Sequence, residues 1–142
     1  MSPKKLRPKV LQGVTIEVPS PCGKIYVVIN SLDGKPQEIF VRFGKQGSCS
    51  STISNALAVT ISYALRSGTD IRDIVKGLKG NCCHRSPAYL DGKPVPSCVD
   101  AIGRAIETTY CVETNEDISE QSEKFIDEAV TPIPIFGRVA NG

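Results

Sequence analysis

The feature that most constrains the fold is a change in the spacing of apolar residues about a third of the way along the chain. Before that point, apolar and polar residues alternate in short runs, as they do in β-strands. Three strands are predicted in this way, over residues 14–19, 23–30 and 37–43. The pair Asp33-Gly34 separates the last two runs and is typical of a tight hairpin turn. We therefore predict an antiparallel meander.

After Ser51 the spacing becomes helical. Gly68 is predicted to end the first helix, whose inward face is predicted to hold Ile53, Leu57, Ile61, Ala64 and Leu65. Strands followed by helices predict an α+β fold, in which helices cover one face of a small antiparallel sheet of three or more strands.

Two further helices are predicted from capping signals. Thr69 or Asp70 can cap the second helix, and Ser97 can cap the third, where Asp100 would complete a capping box. The segment between them, residues 81–96, carries three prolines and the single histidine of the chain. It is predicted to be a loop, and we identify no internal repeat.

Size and charge exclude several classes of protein. The 142 residues suit one domain, and a net charge of +2 gives no broad basic field for binding DNA or RNA. No apolar run approaches the roughly 20 residues of a transmembrane helix, and the N-terminus lacks the apolar region of a signal peptide. We expect a cytoplasmic protein that binds neither nucleic acid nor a membrane.

Charge and composition divide the chain into three parts. Residues 1–12 form a basic N-terminal arm, which we interpret as a solvated tail. Residues 13–112 form the domain, and residues 113–142 form an acidic, Pro-rich C-terminal extension. A helix is predicted over residues 117–130, followed by an extended "TPIPIF" segment that either docks on the domain or meets a partner chain.

The stretch "VRFGKQGSCSST" offers a candidate ligand site. A strand, a Gly-rich turn and a helix start bring free backbone N–H groups to the positive end of the helix dipole, where phosphates bind. The predicted ligand contacts are Gly44, Lys45, Gly47, Ser48, Ser50 and Ser51, joined by His84 and Arg85 from the proline-rich loop. The stretch is no Walker A loop. Plain serine capping after a glycine turn is the simpler explanation of the same stretch.

Several segments together resemble the TSCPD domain, which occurs near the C-terminus of adenosylcobalamin-dependent (class II) ribonucleotide reductases and as small stand-alone proteins. They are "RPKVLQGVTIEV", "CGKIYVVIN", "DGKPQEIFVRFGKQGSC", "ISYALRSGTDIRDIVKGLKG", the cysteine at position 82 and "SCVDAIGRAI". The family's signature reads Ser97-Cys98-Val99-Asp100, with valine where proline is usual. The resemblance implies a fold and a nucleotide-metabolism setting. It supplies no reaction, because the reductase's catalytic barrel is missing from this sequence.

Four of the six cysteines match positions where the family usually has cysteine: Cys22, Cys49, Cys82 and Cys98. Four thiolates at loop and helix edges can converge on one zinc ion, and Cys83 or His84 can substitute for one of them. The sequence contains no CxxC pair, so buried packing as a small apolar side chain is the default interpretation, with the zinc site and a redox role as the alternatives.

We expect a protein without catalytic activity, since no nucleophile is paired with a base and an orienting carboxylate. The favoured function is nucleotide-related binding, accessory to a ribonucleotide reductase supplied in trans or to a similar complex. One alternative is a homo-oligomer that sequesters a phosphate-bearing molecule, such as a nucleotide or a nucleotide-derived immune signal, as a phage anti-defence sponge does. A second alternative is a structural zinc module.

Overall fold

A computed structural model describes residues 2–44 and 47–110, which form a three-stranded sheet, three helices and a small second sheet. The elements are β1 (Gln12–Ser20), β2 (Gly23–Leu32), β3 (Lys35–Phe43), α1 (Cys49–Arg66), α2 (Ile71–Leu78), β4 (Ala88–Leu90), β5 (Lys93–Val95) and α3 (Cys98–Tyr110). The predicted α+β fold is confirmed. The helix and segment predicted over residues 117–136 lie outside the described residues.

The meander has the order β1-β2-β3 and is antiparallel throughout. Its turn at Asp33 and Gly34 has positive φ angles of 50° and 75°, as a two-residue hairpin requires. The predicted alternation on β3 is also confirmed. Ile39, Val41 and Phe43 are buried, whereas Phe40 on the opposite face is 45% exposed.

A second hairpin, formed by β4 and β5, lies where a loop was predicted. Its turn repeats the first one in sequence and in shape: "LDGKP" occurs at residues 32–36 and again at 90–94, and Asp91 and Gly92 have φ angles of 50° and 75°. The interpretation of residues 81–96 as a loop was therefore wrong, and a five-residue repeat was overlooked. The strands are only three residues long. Their alternation is too short to detect, and the Asp-Gly pair was the remaining signal.

Helix α1 packs along β3, one of the two edge strands of the sheet. The backbone N–H of Ile39 donates to Ser62 Oγ at 3.0 Å, so a helical side chain satisfies an otherwise open strand edge. The inward face carries Ser54, Ala58, Ile61, Ser62 and Leu65, while Ile53 is 63% exposed. Placing Ile53 inward was wrong, because the buried face includes small polar residues that a search for apolar spacing does not select.

Helices α2 and α3 pack against each other, and α3 lies against β1 and β2. As predicted, Ile102, Ala105 and Ile106 are buried, and Asp70 and Ser97 occupy the N-cap positions of the two helices. Gly103 marks the closest approach, since a Cβ there would lie 3.0 Å from Leu78 Cβ. Among the described residues, no helix has the length and apolarity needed to cross a membrane.

Candidate functional site

The predicted phosphate turn is a capped helix start. Ser48 is the N-cap of α1, and its Oγ accepts a hydrogen bond from Ser51 N–H at 3.1 Å. The Ser51 hydroxyl donates back to Ser48 O at 2.9 Å. Gly47 has a φ of 83°, a left-handed conformation that suits glycine. Two of the three predicted serines are thus engaged in capping, and Lys45 lies outside the described residues.

The cap leaves part of the helix start open. Within residues 2–44 and 47–110, the backbone N–H groups of Cys49 and Ser50 have no hydrogen-bond partner. They lie at the positive end of an 18-residue helix, where donors and dipole together favour an anion. The geometry required for an oxyanion therefore survives the capping, although with fewer side-chain hydroxyls than predicted.

A pocket of about 310 Å³ adjoins this helix start. Its walls come from the end of β3 and the first turns of α1, and its lining residues are Val41, Phe43, Gly47, Ser51, Thr52 and Asn55. The volume is at the lower end of the range for small-molecule sites. The apolar wall from β3 lies opposite polar groups from α1, as ligand pockets commonly arrange them.

Ser50 faces the turn between β1 and β2 rather than the cap. Its Oγ lies 3.3 Å from Cys22 Sγ, and Ser20 Oγ lies 3.6 Å from Cys98 Sγ. Each thiol also affects the pKa of the other. We call Ser20, Cys22, Ser50 and Cys98 the thiol corner. It joins the β1–β2 turn to the first residues of α1 and of α3. Ser50 from the predicted phosphate site therefore meets Cys22 and Cys98 from the predicted zinc site.

The pKa values of the two thiols in the thiol corner are shifted in opposite directions. Hydrogen bonding with Ser50 lowers the pKa of the Cys22 thiol, and contact with Cys98 and the charge of Arg85 act in the same direction. Burial raises the pKa of the Cys98 thiol. The corner's contacts within the described residues come from hydroxyl, thiol and guanidinium groups, and none comes from a carboxylate or an imidazole.

The other predicted zinc ligands are not gathered at this corner. Cys49 and Cys82 are exposed, and Cys82 Sγ donates to the backbone oxygen of Gly80 at 3.6 Å. Among the residues that the structure describes, no three His, Cys, Asp or Glu side chains form a group that could hold a metal ion. The four-cysteine site stays a prediction, and this arrangement lends it no support.

The two loop residues predicted as ligand contacts differ in their surroundings. Arg85 is exposed, and its charge reaches Cys22 in the thiol corner. His84 is exposed too, and no hydrogen bond or ion pair joins it to another described residue.

The turn residue Ser20 was missed by the sequence analysis. Its buried hydroxyl donates to Gly23 O at 2.6 Å, but a serine before a turn gives no distinctive sequence signal.

Ser97 and Asp100 of the signature tetrapeptide are structural. Ser97 Oγ accepts from Asp100 N–H at 2.9 Å and donates to the backbone oxygen of Asn81. The Asp100 carboxylate is buried and accepts from Gly80 N–H at 2.9 Å and from Arg104 Nε. Asp100 therefore ties the end of α2 to α3. One half of the predicted capping box is confirmed, since Ser97 Oγ accepts from Asp100 N–H. The reciprocal bond from Ser97 N–H to the Asp100 carboxylate is absent among the described residues, where the carboxylate accepts from Gly80 and Arg104 instead.

Comparison with protein families assigns the chain clearly. The model of the TSCPD domain matches residues 1–110 of the 142. A comparison with curated proteins finds no match, and neither does one with solved structures. The matched residues include the arm, the meander, the thiol corner and the signature tetrapeptide. This chain belongs to the TSCPD domain family.

Proposed function

We propose that this protein binds a nucleotide-like, phosphate-bearing small molecule at the start of α1, without transforming it, and acts as an accessory to a ribonucleotide reductase supplied in trans. The observation that carries the proposal is the pair of N–H groups of Cys49 and Ser50, which have no hydrogen-bond partner within residues 2–44 and 47–110. Gly47 and Ser51, which flank them in the sequence, line a pocket of about 310 Å³. A phosphate oxygen accepts from these two groups without disturbing the cap formed by Ser48.

The surroundings of the pocket suit a nucleotide in two further ways. Arg85 supplies a positive charge on the side of the thiol corner, where it can balance a phosphate. Val41 and Phe43 supply an apolar wall, against which the base or the ribose can lie. The ligand would therefore span from the helix start to the end of β3.

Binding without chemistry is supported by the groups that line the site. A transfer reaction needs a general base or acid within hydrogen-bond reach of the reacting atom. The described residues that line the pocket are Val41, Phe43, Gly47, Ser51, Thr52 and Asn55, and none of these carries a carboxylate, imidazole, amine or thiol. The reductase partner is proposed from the family alone, since TSCPD domains occur in class II ribonucleotide reductases.

Calorimetric titration of the full chain with nucleoside mono-, di- and triphosphates tests the binding step. We expect saturable binding of at least one nucleotide, no binding of the matching nucleoside, and recovery of the ligand unchanged. Arg85→Gln should weaken binding about fivefold, as expected when one exposed charge is lost. Lys93→Gln is the matched control, because it removes an exposed charge from β5 and should leave the affinity unaltered.

Three outcomes would contradict the proposal. The absence of nucleotide binding at millimolar concentration excludes the site, and conversion of the nucleotide to a product excludes a purely binding role. Equal effects of Arg85→Gln and Lys93→Gln would place the ligand elsewhere. The reductase partnership is tested separately by pull-down with a class II enzyme, with and without the nucleotide that the titration identifies.

A further inference from the structure

The opposite end of α1 carries a second and larger pocket, of about 510 Å³. The two pockets lie at opposite ends of this 18-residue helix, which is about 27 Å long, and they share no lining residue, so they are separate sites. The second pocket lies between the N-terminal arm, the first residues of β3 and the turn from α1 to α2. Its lining includes Lys5, Lys35, Arg66, Ser67 and Asp70.

Arg66 is the unusual residue of this pocket. It is only 9% exposed, and its Nε is buried without a hydrogen-bond partner among the described residues. Its NH1 group lies 3.8 Å from Glu38 Oε2, at the outer limit for an ion pair. Glu38 is already engaged, because it accepts two bonds of 2.7 Å from Arg7 and one of 2.8 Å from Asn30. A buried guanidinium with an unmet donor therefore borders a cavity.

The N-terminal arm completes the pocket. Lys5 N–H donates to Arg66 O at 3.1 Å, and Lys4 Nζ lies 3.8 Å from the centre of the Tyr63 ring. Together with the bonds from Arg7 to Glu38, these contacts fix the arm against α1 and β3. The arm is thus attached to the domain at Lys4, Lys5 and Arg7, while most of its side chains stay exposed, Leu6 at 92% and Val10 at 81% among them. It brings the charge of Lys5 to the lining.

The charges of the lining favour an anion. Lys5, Lys35 and Arg66 are positive, and Asp70 is the one carboxylate among the lining residues. Asp70 is itself neutralised, since Arg72 donates to it at 2.7 Å and 3.1 Å. The carbonyl end of α1 opposes an anion, but the backbone oxygens of its last turn accept bonds from Ser67, Gly68, Thr69 and Lys5.

We propose that this pocket binds the phosphate group of a small metabolite, with Arg66 Nε as the buried donor and Lys5 and Lys35 as flanking charges. Arg66 Nε itself has no exposed surface, so a phosphate oxygen in the pocket reaches it after a small shift of the Arg66 side chain, and the volume leaves room for the rest of a small molecule. The site is independent of the one proposed at the start of α1. The arm then acts as one wall of a binding site.

Titration of the full chain, with its native N-terminus, with inorganic phosphate at constant ionic strength tests this site. The Nε–H resonance of Arg66, assigned by its loss in Arg66→Lys, should shift saturably in ¹⁵N NMR spectra. The double variant Lys5→Gln/Lys35→Gln should weaken phosphate binding about tenfold. Lys9→Gln/Lys93→Gln removes two exposed charges from residues that line neither pocket, and should change the affinity less than twofold.

Several results would overturn the second site. One is an Arg66 resonance that does not respond to phosphate. Another is equal weakening by the two double variants. A third is phosphate binding that Arg85→Gln abolishes while the Arg66 resonance stays fixed, which would assign all binding to the start of α1. An equal response to acetate would contradict the assignment to phosphate.

Discussion

The carboxylate of Asp100, at 1% exposure, accepts hydrogen bonds from Gly80 N–H and Arg104 Nε. Asparagine is nearly the same size but offers one acceptor fewer and loses the charge. We expect Asp100→Asn to lower the free energy of unfolding by about 3 kcal/mol, as for other broken buried ion pairs. Asp73→Asn, an exposed change in the first turn of α2, should cost under about 0.5 kcal/mol. Urea denaturation measures both, and equal losses would show that Asp100 does not link α2 to α3.

Because the pKa of Glu38 is shifted in the folded state, we expect the stability of the protein to depend on pH. It is 3% exposed, and its hydrogen bonds from Arg7 hold the pKa of its carboxyl below the ordinary value of 4.5. A lowered pKa in the folded state means that the unfolded state takes up a proton first as the pH falls. The contribution of Glu38 is therefore complete above its ordinary pKa, and it is lost as the pH falls from there to the lowered value.

The comparison of wild type with Glu38→Gln isolates this effect. At neutral pH the variant should be about 3 kcal/mol less stable, because the two bonds from Arg7 lose their charged acceptor and the buried Arg66 loses the carboxylate 3.8 Å away. The difference should shrink steadily below pH 4.5. Denaturation midpoints across the acid range measure it. A difference that is constant with pH would mean that the carboxylate charge contributes nothing to stability.

At the scale of elements, Gly68 terminates α1 in a Schellman motif. Its φ is 95°, Gly68 N–H donates to Leu65 O at 3.1 Å, and Thr69 N–H donates to Ala64 O at 3.0 Å. A Cβ there meets no atom within 4 Å, so alanine would be destabilising only because of the strained positive φ angle. Gly68→Ala should lower the free energy of unfolding by about 1 kcal/mol.

Gly77→Ala is the control, because we expect it to change the free energy of unfolding in the opposite direction. It is an exposed glycine inside α2, and a Cβ at this position also meets nothing within 4 Å. Gly77→Ala should therefore stabilise the protein by about 0.5–1 kcal/mol through helix propensity. Thermal denaturation of the two variants measures both effects. Shifts of the same sign would contradict the assignment of Gly68 to the helix terminus.

The elements differ in how far sequence alone could predict them. The meander follows from alternation and Asp33-Gly34, and the buried face of α3 follows from the spacing of Ile102, Ala105 and Ile106. In α1, Ile53 was predicted to face the core but is exposed. The orientation of the helix along the edge strand β3 depends instead on the hydrogen bond from Ile39 N–H to Ser62 Oγ. Contacts between distant residues of this kind leave no periodic trace.

The candidate site shows the same limit. A serine cap at the start of α1 could be predicted from local sequence, and the structure confirms it with Ser48 at the N-cap position. The thiol corner could not, because Cys22, Ser50 and Cys98 come from three segments that meet only in the folded chain. The burial of Arg66 is likewise determined by tertiary packing. Its position in a helix gave no indication that its Nε would lack a hydrogen-bond partner in the part of the chain that the structure describes.

Across the whole molecule, charge is distributed unevenly along the sequence. Residues 1–110 hold 15 Lys and Arg against 8 Asp and Glu, whereas residues 111–142 hold 2 against 7. The buried apolar core of the described residues lies between Val18 and Ile106, within the family match. Removal of residues 111–142 should therefore leave the melting temperature nearly unchanged while making the net charge strongly positive.

The same asymmetry predicts how ligand binding responds to salt. Without the acidic extension, phosphate should bind more tightly at low ionic strength, and the gain should disappear as salt screens the charges. Glu113→Gln/Glu116→Gln/Glu120→Gln/Glu123→Gln in the full chain is the control, since it removes four negative charges but keeps the length. Calorimetric titration at low and physiological ionic strength measures both proteins. If truncation tightens binding and neutralisation does not, the extension would act by occupying a pocket rather than through its charge.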